Sequence, residues 1–395
     1  MENVGHTQQP KKTRIFAYDA LRVFAILTVL LIHALMTSRG IGQTSTMAAF
    51  DRWIHYAVPL FVFVSGALIW SRPWENGSYA TFVKRRVLRV GPSYLFWSVI
   101  FIALLYAGFS GSGALYGNEY NWNGLPTAGV DFLTYVSRIP GYLFSGHSWY
   151  HLYFIPMILT FYLLTPLFAR ALRAFKGSAE LTVVAALFFK GLLGPVIFAG
   201  LTQLGNPFIN SYCTHLVQHL PAMALGGWFG VRMGKALSMW SARWATSTSA
   251  SILQLTSPKS GAEKSYPAAL REKIPHAAPA LFAGTAPMKI SSLLWPFAQV
   301  ALFVIPACLL EPLWQALKKP LKAASELSFG VYYIHALYLL IAQKLSLAFL
   351  DPDLWNGFWT SWSGVLLVWA FLIIASYATS WLLSKSPRLR WIIGL

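Results

Sequence analysis

Along the chain, apolar residues gather into blocks of about twenty, separated by short stretches that carry most of the charge. A helix rises 1.5 Å per residue, so a block of that length crosses a ~30 Å hydrocarbon layer. Most of the blocks are apolar all round rather than striped, which suits helices surrounded by lipid. They fall at 15–36, 53–71, 87–108, 149–169, 180–201, 214–232, 292–310, 327–349 and 361–383. The pattern predicts an all-α integral membrane bundle.

Basic residues orient these blocks, because cytoplasmic connections hold an excess of Lys and Arg. Lys11, Lys12 and Arg14 precede the first block, and Arg72, Lys84, Arg85 and Arg86 follow the second. Arg170, Arg173 and Lys176 follow the fourth, and Arg232 and Lys235 the sixth. The connections 109–148 and 202–213 are nearly free of base and read as outer. Lys318, Lys319 and Lys322 place 311–326 inside, Asp351 and Asp353 place 350–360 outside, and Lys385, Arg388 and Arg390 place the C-terminus inside. These assignments need one more crossing between 235 and 290, a Ser-, Ala- and Pro-rich stretch with candidates at 239–256 and 276–288. The expectation is therefore about ten transmembrane helices with both termini cytoplasmic. The alternative is a cytoplasmic insertion with the later spans flipped against their charge. The expected layout is a basic cytoplasmic tail at 1–14, a membrane domain at 15–383 with an atypical segment at 235–290, and a second basic tail at 384–395.

Composition agrees: 56% of the 395 residues are hydrophobic and 11% charged, against about 25% charged in soluble proteins. The net charge of +18 lies between the apolar blocks rather than on one soluble face, which argues for orientation and against a nucleic-acid partner. Cys213 and Cys308 stand far apart, so neither a disulfide framework nor a cysteine zinc site is expected. No cleavage site of a secretory signal follows the first block near Leu35 and Met36.

Ionisable groups inside apolar blocks are costly, so they become the candidates for function. The first block contains Asp19, Arg22 and His33. Asp19 and Arg22 are spaced to pair. Arg22 and His33 are eleven residues apart, about 20° from a common face and roughly 16–17 Å along the axis. The plain alternative is a snorkelling arginine and a histidine that only bonds a neighbouring helix. Pro59 can kink the second block, and Ser65–Gly66 allows close helix contact. Arg86 and Arg89 share a face at the start of the third block and can hold phosphate oxygens, of a ligand or of lipid headgroups. His147 and His151, like His215 and His219, are four apart, but neither pair has a third ligand nearby, so no metal site is expected. His335 lies inside the eighth block, Lys190 is an intramembrane charge with no evident partner, and 110–125 is rich in Gly, Asn and aromatics.

The ensemble resembles the membrane-bound acyltransferase-3 family. The resemblance is carried by Asp19, Leu21, Arg22 and His33 (an Arg-x10-His signature), the VPLFVFVSG block ending at Ser65–Gly66, and Arg86-x-x-Arg89 with Pro92 and Tyr94. His151-Leu-Tyr-Phe-Ile and Ser328-Phe-Gly-Val-Tyr-Tyr-Ile-His335 follow in the family's order. Tyr153 stands where Trp is commoner, and the family's seventh span falls in the weak 235–290 stretch. The resemblance implies O-acylation, acetylation above all, of a cell-surface or secreted glycan at the bacterial cytoplasmic membrane. The donor it implies is a cytoplasmic acyl-CoA such as acetyl-CoA, with no permanently bound cofactor. His33 and Arg22 are then the expected catalytic residues and Arg86 and Arg89 the CoA-binding ones, with Asp19, Ser65, His151 and His335 as further candidates. The main rival is a transporter or flippase with His33, Arg22 and His335 along a polar path, although no inverted repeat is evident. A scaffold without activity is the third reading.

Overall fold

The computed structural model describes residues 14–70, 79–107, 131–174, 178–255 and 290–395. The expected outer segment 110–125 and the crossing candidate 276–288 lie outside the described residues.

All regular structure among the described residues is helical. In chain order the α-helices are α1 Phe16–Ile41, α2 Ser45–Ile54, α3 Ala57–Trp70, α4 Tyr79–Tyr106, α5 Phe132–Ser145, α6 Phe154–Leu163, α7 Thr165–Ala174 and α8 Ala179–Phe188. After a π-helical turn at Phe189–Leu193 come α9 Gly194–Gln203, α10 Pro207–Leu255, α11 Ile290–Leu309, α12 Glu311–Ala316, α13 Lys318–Phe349, α14 Pro352–Thr360 and α15 Trp362–Lys385. Among the described residues six stretches are long and apolar enough to cross a membrane, or seven if the bent pair α6–α7 counts as one.

The expected spans map onto these elements with three corrections. Block 53–71 starts inside α2, and its helix proper is α3; the chain turns at His55–Tyr56 between them. Block 149–169 is no uniform helix: 146–153 is a chain of turns, and α6 and α7 meet at 49°. The candidate crossing 239–256 is not a separate span, because residues up to Leu255 continue α10 without a break. No Gly or Pro stands between Gly234 and Leu255 to end the helix, and at 49 residues α10 runs to about 74 Å, well beyond a hydrocarbon layer.

Helix α1 is the centre of the bundle. It packs against α3, α13, α15 and α11, and 67% of its apolar window is buried against 18% for the stretch Ala179–Leu201 at the periphery. Its first turn has no local cap, since Ile15 offers no side-chain hydrogen bond. Glu311, fully buried at the start of α12, takes that place: Oε1 accepts from the Phe16 N–H at 3.0 Å and Oε2 from the Ala17 N–H at 2.7 Å. A carboxylate there also faces the positive end of the helix dipole.

Helices α3 and α10 lie almost backbone to backbone. A Cβ on Gly66 would strike the Met223 carbonyl oxygen, one on Gly226 the Phe63 carbonyl and one on Gly230 the Ala67 carbonyl. Small residues at this interface give the close contact that Ser65–Gly66 predicts. The last residues, expected as a tail, are docked: Ser93 Oγ donates to the Trp391 carbonyl at 2.6 Å, Trp97 Nε1 to Ile392 at 3.0 Å and Arg89 Nε to Gly394 at 3.2 Å. Ile393 is fully buried there.

Candidate active site

Three imidazoles from distant parts of the chain meet inside the bundle. The ring centroids of His33 (α1) and His335 (α13) are 5.0 Å apart at 24°, those of His151 and His335 4.9 Å apart, and those of His33 and His151 6.4 Å apart. His151 and His335 are buried, whereas His33 keeps part of its surface open.

The turn 146–153 delivers His151. Gly146 ends α5 at φ 78°, a conformation that costs glycine nothing; a Cβ there would meet the backbone of Leu152 and Tyr153. The buried turn is held by the Tyr332 hydroxyl, which donates to the His151 carbonyl. Because 147–151 is not helical, the two histidines part company. His147 Nδ1 bonds the Ser145 carbonyl at 3.1 Å and its Nε2 meets Ser211 Oγ at 2.8 Å, while His151 joins the other two imidazoles.

A hydrogen bond fixes one of the three tautomers. His335 Nδ1 lies 2.7 Å from the Tyr332 carbonyl, which can only accept, so the proton sits on Nδ1 and Nε2 is a bare base. His33 Nδ1 lies against Met36 Sδ, one turn on along α1. His335 Nε2 and both ring nitrogens of His151 are buried with no partner among the described residues. Buried polar atoms are nearly always satisfied, so three orphaned nitrogens on two rings beside a partly open third mark a place where a polar ligand belongs. Aromatic rings wall the cluster: Tyr150 at 4.7 Å from His33, Phe101 at 5.4 Å and Tyr332 at 5.1 Å from His151, with Trp149 stacked on Phe101.

A cationic site lies at the other end of α1. Arg22 has no ion-pair partner among the described residues, and the charged groups acting on it are Asp19, Arg86 and Arg89, with the Tyr162 phenol. The expected Asp19–Arg22 pair does not form. Asp19 is held instead by Arg14 through Nε at 2.7 Å and Nη2 at 2.8 Å, and by Ser325 Oγ at 2.7 Å. That pairing raises the Arg14 pKa above its ordinary value, chiefly through the hydrogen bond to Asp19. Arg22 is left within electrostatic reach of Arg86 and Arg89. Arg86 lies over the rings of Tyr162 at 5.2 Å and Phe82 at 5.7 Å, a contact that holds a guanidinium without using its donors. Three such groups in one region repel each other and suit a polyanion.

Of the remaining candidates, Ser65 makes no hydrogen bond among the described residues, and its neighbour Gly66 serves helix packing. Lys190 sits in the π-helical turn and lines a small cavity of about 40 Å³ with Gln218 and His219. Among the described residues no group of three His, Cys, Asp or Glu is placed to hold a metal ion. The residues that sequence reasoning missed are Glu311, Ser325 and Tyr162, which act on α1 through folding contacts with no local signature, and Met36, one turn from His33 on α1 itself.

A search of curated proteins and one of solved structures found no match. A comparison with protein families matches residues 15–385, nearly the whole chain, to the acyltransferase domain of the acyltransferase-3 type. The chain thus belongs to the acyltransferase-3 family and is a membrane acyltransferase.

Proposed function

We propose that this protein moves an acyl group, acetyl in the first place, from a cytoplasmic acyl-CoA to a hydroxyl of a cell-surface or secreted glycan. The observation that carries the reading is the partly exposed His33 ring beside two imidazoles with orphaned nitrogens, at the far end of the helix whose near end carries Arg22, within electrostatic reach of Arg86 and Arg89. In this reading the guanidinium cluster holds the CoA phosphates and the pantetheine arm extends the roughly 16–17 Å from Arg22 to His33. The topology that goes with it is a bundle of about ten crossings in a bacterial cytoplasmic membrane, both termini in the cytoplasm.

The chemistry follows from the imidazole cluster. His33 Nε2 takes the proton of the glycan hydroxyl as its oxygen attacks the thioester carbonyl. The tetrahedral oxyanion needs a donor in a site shielded from water, and the neutral His151 ring, with its N–H unpartnered, supplies one. The C–S bond then breaks, and the imidazolium of His33 returns the proton to the leaving thiolate, so no net proton is gained or lost. His335 stacks on His33, with ring centroids 5.0 Å apart, and holds the orientation of its ring.

The test is mass spectrometry of surface glycans from a deletion strain carrying either the wild-type gene or His33→Ala. The wild type restores the acyl mass and the variant does not, at equal membrane abundance. Restored acylation by His33→Ala refutes the mechanism.

A further inference from the structure

A second cavity lies beyond His33 on the same helix. It has a volume of about 370 Å³ and is lined by Arg39, Gln43, Ala48, Asp51, Arg52 and His55. Arg39 follows His33 by six residues, about 9 Å farther along α1, on the side away from the Arg22 cluster. Arg39 is among the charges that act on the His33 ring, so the cavity and the imidazole site lie within electrostatic reach of each other.

Its charge is not balanced. Asp51 is buried and gives both carboxylate oxygens to the fork of Arg39, at 2.5 Å from Nε and 2.7 Å from Nη2. His55 Nδ1 lies 2.5 Å from the Asp51 carbonyl, which must accept, so its Nε2 is the acceptor for Arg39 Nη2 at 3.2 Å. The charges of Arg39 and Asp51 offset each other. Arg52 is exposed, has no ion-pair partner among the described residues, and leaves the cavity one positive charge. Gln43 is tied to the Leu35 carbonyl and Ser38 Oγ, both at 3.1 Å.

We propose that this cavity is the acceptor subsite and that it takes an anionic sugar, one bearing a carboxylate or a phosphate, with Arg52 as the group that reads the charge. The proposal rests on the acyl-transfer reading for its purpose but not for its binding. A polar cavity fits a sugar ring, a guanidinium pairs with an oxyanion through parallel N–H bonds, and α1 connects the bound sugar to His33. A neutral glycan would leave Arg52 without a counter-charge.

The experiment measures equilibrium binding of three matched oligosaccharides to the purified full-length protein: one of uronic acids, the same one with carboxyls reduced to alcohols, and a phosphorylated analogue. At low salt at least one anionic form should bind about tenfold tighter than the reduced form, the gain expected for a charge-assisted pair in a cavity. Which of the two binds tighter identifies carboxylate or phosphate. Arg52→Gln and Arg52→Glu should both remove the preference. Equal binding of all three by the wild type, or a preference that survives Arg52→Glu, overturns the proposal. Acyl transfer is followed on the same samples. Selective binding without transfer upholds the subsite and counts against the acyltransferase mechanism instead.

Discussion

Replacing Glu311 with Ala should loosen the helix that carries both ends of the site. The carboxylate accepts two N–H groups from the first turn of α1, at 3.0 and 2.7 Å, and Gln315 Nε2 also donates to it at 3.0 Å. It is fully buried, so truncation orphans donors that water does not readily reach. Each buried orphan costs about 1–3 kcal/mol, and loss of a charge at a helix start adds about 0.3–1 kcal/mol. Some relaxation is available at a helix end, so the bottom of the summed range, about 3 kcal/mol, is the expectation. Spread over the unfolding entropy of a chain this long, that lowers the thermal midpoint by about 4 °C. Glu311→Gln keeps one acceptor oxygen and should cost about half as much. The assay is thermal unfolding of the purified protein, followed by size-exclusion of heated samples. A midpoint unchanged in Glu311→Ala would show that α1 does not depend on this distant cap.

Other substitutions separate packing from chemistry. Gly226→Ala puts a Cβ into the Phe63 carbonyl, where neither backbone can give way, and should cost about 1–3 kcal/mol. Gly200→Ala, with nothing within 4 Å, should leave the folded yield unchanged; equal losses would refute the α3–α10 contact. Arg86→Gln combined with Arg89→Gln should raise KM for acyl-CoA at least tenfold with kcat less affected, and a fall in membrane insertion alone would make the cluster a topological anchor. Tyr332→Phe removes the bond that holds the His151 carbonyl and should lower kcat about tenfold at unchanged acyl-CoA affinity; an unchanged kcat would show that the turn needs no such tie.

Hydropathy makes the spans legible, because a lipid-spanning helix needs little but length and apolar composition. It does not rank them. Phe16–Arg39 and Ala179–Leu201 are equally apolar, yet one is the core of the bundle and the other its edge. The difference lies in which helix other helices surround. The basic and imidazole ends of α1 were readable from the eleven-residue spacing, since a helix fixes both face and rise. The partners were not. Asp19 has Arg22 one turn away but bonds Arg14 and Ser325, 306 residues distant in the second case. Helical spacing also misleads at His147 and His151, where Gly146 ends the helix and a buried turn sends the two rings to different neighbours. The candidate crossing at 239–256 is, as far as Leu255, one with α10, because helix continuation needs only the absence of a breaker.

The most direct measurement is single-turnover acyl transfer by the purified protein with His33→Gln, read beside the affinity for a non-hydrolysable acyl-CoA. General-base catalysis contributes about 10²–10⁴ in rate, so the transfer step should slow at least a hundredfold while acyl-CoA binds as before. A variant that transfers within tenfold of the wild type would contradict the assignment of His33 as the base.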